Sequence, residues 1–141
     1  MDRKKIRRIH SALNNTRDKA QFFALIMLMF FLAMSCATKL PVIPDEYSAS
    51  QIIQKAQERS DVYDWKGAQY CYRILLERYP DNPELVLEAT YEIAFIEYKL
   101  GHKDTAKAGM QEVLEIYKGA EAASLPQTWK VLAEKILAKL K

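Results

Sequence analysis

The sequence predicts an all-α protein: two antiparallel helix hairpins and a capping helix, preceded by a signal or anchor segment. Three observations carry this. Apolar residues recur at three- and four-residue spacing through the second half of the chain, the period of one helix face. Pro80, Pro83, Gly101, Gly119 and Pro126 stand where one such run ends or the next begins. One stretch also occurs twice. Tyr63, Asp64, Trp65, Lys66, Gly67 and Ala68 lead through Tyr72, Leu75 and Leu76 to Tyr79 and Pro80, and downstream Leu100, Gly101, His102 and Lys103 lead through Ala106, Met110, Val113 and Leu114 to Tyr117.

At 141 residues the chain has room for one domain of ordinary size with appendages. Its basic balance is local. Seven of the 21 basic residues (Arg3, Lys4, Lys5, Arg7, Arg8, Arg17, Lys19) precede Phe22, whereas from Cys36 onward 14 basic residues face 16 acidic ones. The domain itself is therefore slightly acidic, which argues against a nucleic-acid partner, since that needs a basic face.

Residues 1–36 have the parts of an export signal: a basic start, a 13-residue apolar run over 22–34, and a small residue before a cysteine. A bilayer crossing takes about 20 apolar residues, so the run fits a signal peptide better than a stable span. Ala33, Met34, Ser35 and Cys36 resemble the lipobox of bacterial lipoproteins. The usual leucine is displaced, with Leu32 one place early. The resemblance implies cleavage after Ser35 and several acyl chains on Cys36, a durable anchor at about 0.8 kcal/mol per buried methylene. The other reading leaves Cys36 unmodified at the end of an uncleaved anchor helix. Both put the domain outside the cytoplasm, in the periplasmic space of the cell envelope, because a basic segment before the first apolar run stays inside.

Residues 37–47, with Pro41 and Pro44 and no helical period, read as an extended tether. Ser48 and Ser50 offer N-caps for a helix through Ile52, Ile53, Ala56 and Arg59 that ends between Ser60 and Tyr63. Asp64 caps the next helix, the small Ala68 admits a close neighbour, and Pro80 ends the run because it cannot continue the ladder. Pro83 suits the start of a third helix. That helix carries Leu87, Tyr91, Ala94 and Tyr98 on one side and Ala89, Ile93, Ile96 and Leu100 beside it, so it needs neighbours on two sides. Gly101 closes it. A fourth helix is expected from Lys103 to Lys118 with Gly119 as its stop. A capping box of Ser124 and Gln127, with Pro126 in the first turn, would open a final helix over the 120–141 segment, with Trp129, Leu132, Ala133, Ile136 and Leu140 on its apolar stripe.

Ala68 and Ala106 lie 38 positions apart, and the two stretches over 48–119 resemble tetratricopeptide (TPR) repeats, whose period is 34. The residues carrying the resemblance are Ala56, Asp64, Trp65, Ala68, Tyr72 and Pro80 in the first copy and Ile93, Ala94, Tyr98, Gly101, Ala106 and Met110 in the second. Lys118 replaces the closing proline. Four extra residues fit at positions 83–86, lengthening the third helix by about one turn. The resemblance, closest to TPR domains of bacterial envelope lipoproteins, implies a TPR-like α-solenoid that acts as a scaffold for other envelope proteins or peptides. Its first helices line a groove, here Ser50, Ile53, Gln57, Ser60 and Asp61, then Glu88, Tyr91, Phe95, Tyr98 and Lys99. Tyr91, Phe95 and Tyr98 would form an aromatic platform for a peptide or partner helix. About three units usually bury a continuous core, so completion falls to the last helix or to a homo-oligomer.

Nothing in the sequence suggests catalysis or a cofactor. His102 in a turn is expected to be solvated, with no second histidine or cysteine near enough in sequence to share a metal. Cys71 falls among core-facing positions and reads as an inert thiol. Glu84, Glu88, Glu92 and Glu97 read as a solvated stripe. The four glycines are too scattered for a phosphate loop. A periplasmic ligand-binding component tied to a transporter is the alternative to a scaffold.

Overall fold

Ser48 opens the first helix, α1 (Ala49–Asp61), through a reciprocal cap. The Gln51 backbone N–H donates to the Ser48 hydroxyl, and the Ser48 N–H donates to the Gln51 side chain, so two donors of the first turn are satisfied. The computed structural model describes residues 39–119 and 122–141. Four more helices follow: α2 (Trp65–Arg78), α3 (Pro83–Lys99), α4 (Lys103–Ile116) and α5 (Gln127–Lys139). No strand occurs among the described residues, and the chain is all-α as expected. Each helix packs on the next in sequence, and α3 also touches α5. Links as short as 62–64 and 100–102 oblige α1 with α2, and α3 with α4, to run antiparallel.

The two hairpins are the same object built twice. Trp65 to Lys103 and Arg78 to Ile116 are both steps of 38, and each of these helices has 14 residues. Asp61 to Lys99 is again 38, but α3 has 17 residues against 13 in α1, so the four extra residues sit at its N-terminal end, positions 83–86. The links match in detail. Tyr63 and Gly101 both adopt left-handed backbone, φ 59° and 81°, and the next residues, Asp64 and His102, have φ/ψ of −80°/69° and −79°/74°. The N–H of Asp64 donates to the Arg59 carbonyl as that of His102 does to Glu97. Even the side-chain pair across the turn recurs with the acid on the opposite side, Arg59 to Asp64 at 3.2 Å and His102 to Glu97 at 2.7 Å.

Two clusters of buried residues meet in α3. Ile52 and Ala56 of α1, Ala68, Cys71, Tyr72 and Leu75 of α2, and Ala89 and Ile96 of α3 form the first. Leu87, Tyr91 and Ala94 of α3 join Met110, Val113, Leu125, Ala133 and Ile136 in the second. The two apolar stripes of α3 thus divide between two neighbours, as its sequence required. Each fully buried Leu or Ile contributes about 1.5–3 kcal/mol relative to exposure. Ala68 and Ala106 are both fully buried. Between α3 and α4 the packing is tight: a Cβ on Gly109 would lie 2.6 Å from the Ala94 Cβ, so glycine sets the spacing there.

Three expectations need correction. The tether is docked from residue 41 on: Pro41 is buried, Ile43 and Tyr47 pack on the first cluster, and Arg78 donates to the carbonyls of Pro44 at 2.8 Å and Ile43 at 3.1 Å. Arg78 satisfies backbone carbonyls that a free spacer would leave to water. The fourth helix ends at Ile116, and Gly119 is not left-handed; its N–H closes a tight turn onto Ile116. No capping box opens α5. Pro126 fills the N-cap position, the Gln127 side chain donates to the Leu125 carbonyl at 3.1 Å, and the Tyr117 hydroxyl holds the Pro126 carbonyl. Residues 1–38, with the export signal, Cys36 and the start of the tether, lie outside the described residues.

Candidate functional site

Helical spacing places Glu88, Glu92, Phe95 and Lys99 on one side of α3, with Tyr91 and Tyr98 beside them. The predicted aromatic platform is only partly a surface. Tyr91 is 5% exposed and lies between two rings, stacked on Phe95 at 6.0 Å and tilted against Trp129 of α5 at 4.9 Å. Phe95 and Tyr98, 6.2 Å apart, stay half-buried, and Lys99 is exposed. Tyr91 is thus a floor, and Phe95 and Tyr98 are the accessible rings. Trp129 was absent from the predicted groove because its place on the apolar stripe of α5 marks it as core. From α1, Ile53 packs on the first cluster, Ser60 is half-buried, and Ser50, Gln57 and Asp61 are exposed. Of the repeat-signature positions, Ala56, Ala68, Tyr72, Ala94 and Ala106 are buried, Gly101 is left-handed, and Pro80 lies exposed in the turn after α2.

The acidic stripe is where the sequence misleads. Glu84 is exposed, but Glu88 and Glu92 are half-buried, because α3 has neighbours on two sides and little of its girth is left for water. Burial, and then the charge of Glu88, pushes the Glu92 carboxyl up to about 7. Burial and Glu84 raise Glu88 in the same way. Tyr72 of α2 is 2% exposed; burial raises its hydroxyl, and the charges of Glu92 and Glu88 raise it further. Tyr91 is pushed up to about 12 by burial and by Glu92. Among the described residues no hydrogen bond or ion pair engages Tyr72, Glu88 or Glu92.

Glu97 behaves differently. Burial works to raise its carboxyl, but hydrogen bonds from Gln69 at 2.6 Å and His102 at 2.7 Å outweigh it and hold the group below its usual range. His102 is exposed, as expected of a turn residue. On this side of α3 a groove of about 390 Å³ runs between α2 and α4, with Arg73 and Leu76 on one wall, Thr105, Ala108 and Glu112 on the other, and Thr90 and Ile93 in its floor. Cys71 is buried, and burial pushes its thiol up against the opposing pull of Arg59 and Lys55. That is the inert state.

Among the described residues no cluster of three or more His, Cys, Asp or Glu is placed to hold a metal ion, and no helix is long and apolar enough to cross a membrane.

No protein-family profile matches the chain, and no solved structure does. A protein of Treponema pallidum (strain Nichols), of uncharacterised function, is 26% identical over 115 residues, 82% of this chain. The chain spans 46% of the length of that relative.

Proposed function

We propose that the chain is a membrane-tethered scaffold of TPR type in the bacterial cell envelope, which holds other envelope proteins through the side of α3 that carries Phe95 and Tyr98. The observation that carries this reading is the pair of half-buried rings, Phe95 and Tyr98, next to an acid pair without a cation: aromatic surface left partly open usually marks a contact. The recurrence of helix bounds and link geometry at 38 residues supports a repeat solenoid, in which consecutive first helices share one face. In this reading Cys36 carries the lipid and the protein acts without a cofactor. Cross-linking in intact membranes followed by pull-down tests it: Phe95→Ala should lower the yield of partner adducts, and an unchanged yield would remove the reading. Replacing Cys36 by Ser should release or mislocalise a lipoprotein, whereas an uncleaved anchor would keep the chain in the membrane.

The alternative, a periplasmic ligand-binding component, rests on the groove between α2 and α4. Its volume of about 390 Å³ falls in the range of small-molecule sites, and Thr90 is a nearly buried polar side chain in its floor. Calorimetry against small metabolites separates the two readings.

A further inference from the structure

The groove between α2 and α4 lies where the second hairpin is trimmed relative to the first. Counting forward 38, Ile52, Tyr70 and Ile74 become Thr90, Ala108 and Glu112, so the floor and one wall lose apolar bulk and gain a hydroxyl and a carboxylate. Ile52 is fully buried in its core. Thr90, in the equivalent place, is 9% exposed and lines the groove, and its hydroxyl has no hydrogen bond among the described residues. That hydroxyl is not fully occluded, so the groove is where it meets a partner. Two charged groups stand on opposite walls with bonding capacity to spare. Arg73 is exposed and donates to Gln69 at 3.3 Å, which engages one of the five N–H donors of a guanidinium. Glu112 is exposed, with no hydrogen bond or ion pair among the described residues. Glu97, the third charged group of the lining, is already satisfied, by Gln69 at 2.6 Å on one oxygen and His102 at 2.7 Å on the other. Leu76 and Ile93 make the space between apolar.

One free cation, one free anion and a hydroxyl around an apolar floor are the complement of a small zwitterion. A carboxylate accepts paired N–H bonds from a guanidinium, an ammonium donates to a carboxylate, and both bonds are stronger for being charged. We propose that this groove binds a free amino acid or dipeptide with an apolar side chain, its carboxylate on Arg73, its ammonium on Glu112, and its backbone bonded to the Thr90 hydroxyl. The size agrees. From Thr90 to Glu97 the floor is seven residues of helix, about 10 Å long, and two residues of extended peptide span about 7 Å. This rests on the ligand-binding reading of the groove and names the class of its ligand; it leaves the Phe95 side of α3 to the scaffold.

The test is isothermal titration calorimetry with the full chain in non-ionic detergent micelles. The probes are leucine, methionine and leucyl-leucine, with isocaproate and isoamylamine, which are leucine without its ammonium and without its carboxylate. At least one of the three zwitterions should bind, and the two half-molecules should bind about tenfold more weakly or not at all. Arg73→Gln and Glu112→Gln should each weaken zwitterion binding about tenfold or more, Thr90→Val should weaken it less, and Glu77→Gln, an exposed acid on α2, should leave it unchanged. Ala108→Tyr restores the bulk of Tyr70 and should abolish binding without altering helical circular dichroism. Wild-type affinity in Arg73→Gln, Glu112→Gln or Ala108→Tyr overturns the site. A half-molecule that binds as tightly as the zwitterions, and is lost in Ala108→Tyr, overturns the zwitterion and keeps the groove as a ligand site. Silence from every probe overturns both.

Discussion

Replacing Glu92 by Gln should stabilise the domain, and by an amount that depends on pH. Burial and the neighbouring Glu88 lift the carboxyl from its ordinary 4.5 to about 7 in the folded chain. The folded state therefore binds a proton more tightly than the unfolded state, and stability falls as pH rises from about 4.5 through 7. At about 1.4 kcal/mol per pH unit, the whole cost is roughly 3 kcal/mol at pH 8 and shrinks below about 1 kcal/mol at pH 5. Glutamine keeps the shape and carries no charge, so it removes that cost. For a domain of about 100 residues, each kcal/mol moves Tm by about 4–8 °C. Thermal melts of the Thr38–Lys141 unit followed by circular dichroism should then show Glu92→Gln raised by about 10 °C or more at pH 8 and by only a few degrees at pH 5. The same gain at both pH values, or a loss at pH 8, would refute the burial argument.

Other outcomes follow from the packing. Gly109→Ala forces a Cβ to 2.6 Å from that of Ala94; overpacking of about 1–3 kcal/mol exceeds a helix-propensity gain of about 1 kcal/mol, so Tm should fall, and Ala94→Gly in the same chain should recover part of the loss. Gly101→Ala has free space around it and should still cost about 1 kcal/mol in urea unfolding, from left-handed backbone alone. Tyr63→Gly at the equivalent position relieves about 1 kcal/mol of left-handed backbone but loses the edge contact of its 76% exposed ring with Trp65 at 5.7 Å, worth about 0.5–1.5 kcal/mol, so urea unfolding should show a net change within about 0.5 kcal/mol of zero. Arg78→Ala removes the donor to Ile43 and Pro44, and hydrogen exchange should show faster amide exchange near Tyr47 with α4 unaffected.

Much of the fold was written in local signals that act over one turn or one repeat. Ser48 and Asp64 cap as residue type predicts, since a short oxygen-bearing side chain before an apolar run has a backbone donor within reach. The period of 38 placed the extra turn of α3 at positions 83–86, and the double apolar stripe on α3 announced two neighbours. What failed depended on contacts remote in sequence. Nothing near Pro41 or Ile43 indicates that Arg78, more than thirty positions on, will hold them down. The capping box at Ser124 had the right letters, but Pro126 took the N-cap place and Gln127 turned back to the preceding carbonyl.

Glu92 was the costliest misreading, and its cause is instructive. Acids spaced by four along a helix describe a wet face only when that face has no neighbour, and α3 is packed on both flanks. A single helix pattern cannot report which of its sides a neighbour covers. The duplication can. Where both hairpins need the same geometry, they keep it even when the residues change: Tyr63 and Gly101 share a left-handed turn, and Arg59 with Asp64 becomes Glu97 with His102. Where the hairpins differ without a geometric reason, the fold leaves the residue type open. Ser50 and Gln54 show that the backbone does not ask for carboxylates at Glu88 and Glu92; the half-burial of the second pair comes from the extra neighbours that α3 has and α1 lacks.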